Sequence, residues 1–138
     1  MSGADLRHAI LSDANLTNVN LTKANLYNAD MANVDLSDAL LCYANLLSAN
    51  LARANLTDAN LAGVNLKEVD LSGANLTGAN LFGANLARAN LTDANLTDAN
   101  LTYVILMGTN LSGANLSGAN LTDARLRNTT MPDGTIRD

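Results

Sequence analysis

One cysteine, one histidine and one proline occur in 138 residues, and each scarcity excludes something. A lone Cys42 cannot build an intramolecular disulfide framework. With His8 as the only imidazole, too few soft ligands remain for a zinc or copper site, and no cofactor of any kind is expected. Tryptophan is absent, and three tyrosines and one phenylalanine are all the aromatic residues. Positive charge is also sparse: eight Lys and Arg stand against thirteen Asp and Glu, a formal net charge of -5. Nucleic-acid backbones and anionic membrane surfaces both want clustered cations, so direct binding to either is excluded. The opening stretch MSGADLRHAI has no basic n-region, and no apolar run approaches a membrane span. The chain reads as soluble and, by default, cytoplasmic.

What is present is 48% hydrophobic residues, almost all of them Ala and Leu, and they recur with a period of five. From Leu6 to Leu126 every fifth residue is Leu, except Met31, and the series continues through Met131 and Ile136. Two places before each of these centres stands a small residue: Ala in most repeats, Val at 19, 34, 64, 69 and 104, Thr at 109 and 129. The register is unbroken from Ala4 to Met131.

A period of five fits neither regular element. Five residues turn an α-helix through about 500°, so the leucines precess around its axis and form no stripe. In a straight strand an odd spacing sends alternate leucines to opposite faces. The leucines converge only if the chain changes direction once per five residues. Four such sides close a square of twenty residues, and stacked squares place residue n over n+20 at about 4.8 Å, with parallel backbone pairing. The 26 centres from 6 to 131 then make about six to seven coils, a rod about 30 Å long.

The outward positions agree. The second residue after the centre is Gly, Asn or Asp in most repeats, as at Asp13, Asn18, Asp58, Gly73, Gly78, Asp93 and Gly118. These types tolerate the positive φ that a type II turn needs at its third position. The residue before the centre is Asn, or Asp at 5, 30, 35 and 70. Stacked, these form amide ladders, and no Asp there has another Asp twenty residues away.

ANLTDANLTDANL, ADLRHAILSDANL and ANLSGANLSGANL resemble the A(D/N)LXX motif of the pentapeptide-repeat family, over nearly the whole chain. The resemblance implies an all-β fold, a right-handed quadrilateral parallel β-helix; the period alone gives a coil with a turn every five residues. The repeats fill 4–131 of one domain spanning 1–138. Pro132-Asp133-Gly134 is a turn signal expected to fold Ile136 over the last coil as a cap. Only Met1-Ser2-Gly3 precedes Ala4, so the first coil is expected to be bare and to associate end to end as a homodimer.

Function is sought where the repeat departs from itself. Sides are numbered from the centres: side one holds 6, 26, 46 and onward, side two starts at 11, side three at 16 and side four at 21. Sides two and three hold Asp13, Asp30, Asp35, Asp38, Asp58, Asp70, Asp93 and Asp98 against Arg53 alone. Sides four and one hold Arg7, Lys23, Lys67, Arg88, Arg125 and Arg127 against Asp5, Glu68 and Asp123. The apolar exceptions are read on this second half. Tyr27, Leu40, Tyr43 and Leu47 form one candidate partner-binding cluster, and Phe82, Tyr103, Ile105 and Met107 a second. The competing reading is scattered exposed apolar side chains that stack on neighbours one rung away.

Catalytic constellations are missing. His8 and Cys42 fall on different coils and sides, GANLTGANLFGANL lacks the Lys-Ser/Thr of a phosphate loop, and a Leu-filled bore leaves no substrate pocket. The chain is expected to be no enzyme but a structural or protein-interaction rod with an unidentified protein partner. Family members resembling gyrase-protecting quinolone-resistance proteins supply the alternative, an acidic rod that mimics DNA on a topoisomerase. Stacked Thr17, Ser37, Thr57, Thr77, Thr97 and Ser117 suggest a third, ice or mineral binding, weakened by interspersed Asp.

Overall fold

The computed structural model describes residues 1–138. Successive coils pair through isolated parallel bridges at a constant offset of twenty, from Asp5↔Asn25 to Asn110↔Thr130. The bridges fall in four columns, headed by Asp5, Ile10, Asn15 and Asn20. Each column is one side of the square. The bridged residue is always the one before the centre, where the chain is briefly extended between turns.

Every amide of a typical repeat finds an acceptor, which explains why this sequence holds this shape. In the repeat centred on Leu26, the Leu26 N–H donates to Asn45 O at 2.7 Å and the Asn28 N–H to Leu47 O at 3.0 Å, both on the following coil. The Asn25 N–H donates to Ala4 O of the preceding coil at 2.9 Å. The Ala29 N–H closes the corner on Leu26 O at 3.0 Å. The fifth amide, of Tyr27, donates to the Asn25 side-chain Oδ1 at 3.2 Å. Asn therefore has a local duty, an Asx turn within its own repeat.

The same Asn oxygen also receives the coil above. Asn65 Nδ2 donates to Asn45 Oδ1 at 3.0 Å, and Asn45 Nδ2 to Asn25 Oδ1 at 3.1 Å. All these amides donate toward the N-terminal coil, so the ladder has a direction. Asp, which only accepts, fits it from below: Asn50, Asn55 and Asn90 donate down to Asp30, Asp35 and Asp70.

Corners need a left-handed residue, and the second residue after each centre supplies it, from His8 at φ 60° to Asn128 at φ 56°. Asn, Asp and Gly are at ease there. Lys23, Tyr43, Glu68, Arg88 and Tyr103 adopt the same backbone at a cost of about 1–2 kcal/mol each.

Leu21 to Leu111, with Met31, and the small residues between them are buried and fill the bore. Thr109 and Thr129 replace Ala there without leaving a hydroxyl orphaned: Thr109 Oγ1 donates to Leu86 O at 2.7 Å, and Thr129 Oγ1 to Leu106 O. At the ends the leucines lose cover, and Leu6, Leu11, Leu16, Leu116, Leu121 and Leu126 are only partly buried.

The turn expected at 132–134 forms, with the Gly134 N–H on Met131 O at 2.9 Å and Gly134 at φ 81°. It joins the two regular strands of the chain, β1 (Thr129–Thr130) and β2 (Ile136–Arg137), as an antiparallel pair. The expected placing of Ile136 is corrected. It is 67% exposed, because β2 extends the edge of side two instead of crossing the open bore.

Candidate functional site

Four of the eight candidate residues, Leu40, Ile105, Tyr43 and Tyr103, sit where the repeat loses one of its own bonds or a relaxed corner. From Arg7 onward, the amide after the centre lacks its Asx acceptor at Ser12, Cys42, Met107 and Arg127. In each case the ladder residue has been replaced, by Ile10, Leu40, Ile105 and Arg125. Leu40 also interrupts the ladder between Asn20 and Asn60, and Ile105 the one above Asn85. Pro132 would add a fifth such amide after Thr130, but proline has no N–H to leave unmet. Tyr43 and Tyr103 carry the second kind of cost, a bulky residue at φ 57° and 58°.

Of the eight candidate residues, Tyr27, Leu40, Tyr43, Phe82, Tyr103 and Met107 are exposed. Leu47 and Ile105 are half-buried. The structure brings Phe82 and Tyr103 together edge to face, ring centroids 5.6 Å apart at 80°. Tyr43, 67% exposed, leans onto the next coil, where its ring covers Gly63; a Cβ on Gly63 would stand 2.5 Å from that ring. The next residue in the column, Gly83, has open space where its Cβ would be, and Tyr103 follows one coil further. Side four thus presents two aromatic groups, Tyr43 over Gly63 and Phe82 with Tyr103, with open space at Gly83 beside the second.

Tyr27 joins no such group. Its ring meets His8 of the preceding coil, centroids 5.5 Å apart at 85°, and Asn28 Nδ2 lies 3.2 Å from His8 Nδ1. The apolar residues of sides four and one therefore form patches along the rod, not one strip.

The restriction of apolar exceptions to those two sides also needs correction. Ile10, on side two, is 84% exposed. Its signal is in the sequence, an Ile where Asn or Asp belongs.

Charge on sides four and one is partly tied up. Glu68 accepts both Lys67 at 3.4 Å and Arg88 at 3.6 Å, and Arg7 pairs with Asp5 at 2.8 Å. Hydrogen bonding from Arg7 holds the Asp5 carboxyl below its usual pKa and raises that of Arg7. Lys23, Arg125 and Arg127 make no ion pair. On the acidic half, the Ser37 amide and hydroxyl and the Asn55 amide all donate to Asp35, which lowers its pKa. The carboxylates of Asp58, Asp93 and Asp98 lean over Gly78, Gly113 and Gly118, whose missing Cβ makes the room.

The hydroxyl column of side three is engaged with the ladder. Thr57 Oγ1 donates to Asn55 Oδ1 at 2.7 Å and accepts from Asn75 Nδ2 at 2.9 Å, and Thr77 and Thr97 repeat the arrangement.

A family model for pentapeptide repeats matches in eight copies over 1–38, 35–73, 74–113 and 94–133. The chain is 34% identical to HetL, a pentapeptide repeat protein involved in heterocyst differentiation regulation from the cyanobacterium Nostoc sp. strain PCC 7120, over 99% of this chain and 78% of that one, with a TM-score of 0.40. It is 34% identical to Rfr23, a pentapeptide repeat protein of the cyanobacterium Cyanothece 51142, over 90% and 88%, at a TM-score of 0.32. A trypsin-treated form of QnrB1, a plasmid-mediated fluoroquinolone resistance protein, shares the fold at a TM-score of 0.59, with 19% identity over 93% of this chain and 70% of that one. Among curated protein sequences, none matches the chain.

Proposed function

Because the chain belongs to the pentapeptide-repeat family, whose members are right-handed β-helix solenoids, we propose that it works as a non-enzymatic protein-interaction rod through sides four and one. One observation carries the reading. Four residues there cost the fold something: Leu40 and Ile105 remove an Asx acceptor and a ladder rung, and Tyr43 and Tyr103 hold a strained corner, while Tyr27, Leu47 and Phe82 keep their Asx bonds and add apolar surface beside them. Decoration that the bore does not use, retained against its structural cost, is accounted for by a contact outside the chain.

The test is affinity capture from native extract with wild type and with a Tyr43→Ser, Phe82→Ser, Tyr103→Ser variant, followed by direct binding of whatever wild type alone retains. Loss of binding in the variant, with its melting temperature kept, supports the reading. Equal retention by both proteins refutes it.

The acidic half supports the second reading, an acidic rod standing in for DNA on a topoisomerase. Its eight aspartates stand against a single arginine. A topoisomerase retained equally by wild type and the aromatic variant, but lost on neutralising Asp58 and Asp93, would favour that reading over the first. Ice binding is disfavoured, since the side-three hydroxyls use their hydrogen bonds within the ladder.

A further inference from the structure

The two halves of the rod are complementary to each other, and because they face away from one another, the complement can only be met by another molecule. We infer that the partner of sides four and one includes the acidic half of a second copy of this chain, laid side by side with the first. This inference rests on the interaction reading above and names one occupant of that surface.

Three observations carry it. First, charge: Lys23, Arg125 and Arg127 are cations without an ion pair on one half, and Asp38, Asp58, Asp93 and Asp98 are carboxylates without one on the other. Second, apolar content: within the repeats the acidic half exposes Ile10, 84% accessible, and at its C-terminal edge Ile136, and the opposite half offers the open stretch at Gly83 beside Phe82 and Tyr103. Third, pitch: every outward column in both rods repeats at the same twenty-residue offset, so two parallel or antiparallel copies keep their charged rungs in step along the whole contact. An unrelated partner has no such built-in match.

The contact is heterologous, one face against a different face, so a pair of rods keeps one unused face of each kind. Assembly therefore grows with concentration and does not stop at two. Its charge component is screened by salt, the Debye length falling from about 30 Å at 0.01 M to about 3 Å at 1 M.

The experiment is sedimentation of the purified full chain over a concentration series at about 0.01 M and about 1 M salt. The expected result is a mass that rises with concentration at low salt and returns to that of one chain at high salt. Two charge-reversal variants then identify the faces: Lys23→Glu with Arg125→Glu and Arg127→Glu, and Asp58→Lys with Asp93→Lys. Arg53 and Arg88 already occupy the Asp58 and Asp93 type of position, over Gly73 and Gly108, so the corner accepts a long cation. Each variant alone should stay a single chain, and their mixture, in which each altered face again meets one of opposite charge, should regain assembly. A single chain at every concentration in low salt overturns the inference, as does assembly that salt and both variants leave unchanged. A heterologous protein lost with the aromatic variant, together with a strictly single rod, keeps the interaction reading and removes this one.

Discussion

An Asn before the centre, such as Asn45, makes three hydrogen bonds at once: its Oδ1 accepts from the amide two residues on and from the coil above, and its Nδ2 donates to the coil below. Leu40 forfeits all three, leaving the Cys42 N–H and Asn60 Nδ2 without their acceptor and Asn20 Oδ1 without its donor from above. Leu40→Asn should therefore stabilise the protein by about 1 kcal/mol, a net figure for partly exposed bonds less the apolar cover that Leu40 gives. A thermal melt shifted upward by a few degrees is the expected reading, and an unchanged or lowered midpoint would mean that Leu40 packs better than its replacement bonds. The Asn positions were legible in the sequence as cross-coil ladders. Their Asx duty was not, because it depends on where the corner directs the next amide. That omission hid Ile10, whose signature is the missing acceptor for Ser12 more than its own hydrophobicity.

At the scale of one side of the square, the ladder makes stability depend on acid. Asp35 receives the Ser37 amide and hydroxyl and the Asn55 amide, so its folded carboxyl titrates below its unfolded value. A depressed pKa contributes stability above the unfolded value, about 3.9, and loses it as pH falls through the folded one. Asp5, held by Arg7, and Asp133, held by Thr135, act in the same direction. The melting temperature should be level above about pH 5 and fall on the acid side. Asp35→Asn keeps an acceptor oxygen but cannot titrate, so it should flatten that fall; an identical acid slope in wild type and variant would remove Asp35 from the account. Corners were readable from Gly, Asn and Asp, and φ is positive there as those residues imply. The tail was half readable: Pro132-Asp133-Gly134 announced the turn, but the register of β2 on β1 sent Ile136 to solvent.

For the molecule as a whole, five residues are the unit of length and twenty the unit of repetition. Deleting residues 56–60 joins Asn55 to Leu61 and keeps every later centre inward, one side earlier than before. Deleting 56–59 throws every later centre off its corner. Circular dichroism and melting should show the first variant folding cooperatively and the second losing the transition of everything beyond the cut. Equal behaviour of the two would mean that the pentad is not the structural unit. The sequence carried this architecture almost completely, since Leu at every fifth place has no other way to converge. The grouping of Phe82 with Tyr103, and of Tyr43 with Gly63, depends on which way side chains lean across a rung, and periodicity is blind to that.

The cross-coil hydrogen bonds lie along the rod's axis, while the covalent chain runs around it. Each coil rises only about 4.8 Å yet stores roughly 70 Å of contour. Pulled from its ends, the protein would meet the load with hydrogen bonds and leucine packing between coils, no covalent bond lying along the line of force, and release chain coil by coil. Squeezed along the same line, it meets the load with packed leucine. Mechanically it is a strut and not a cable.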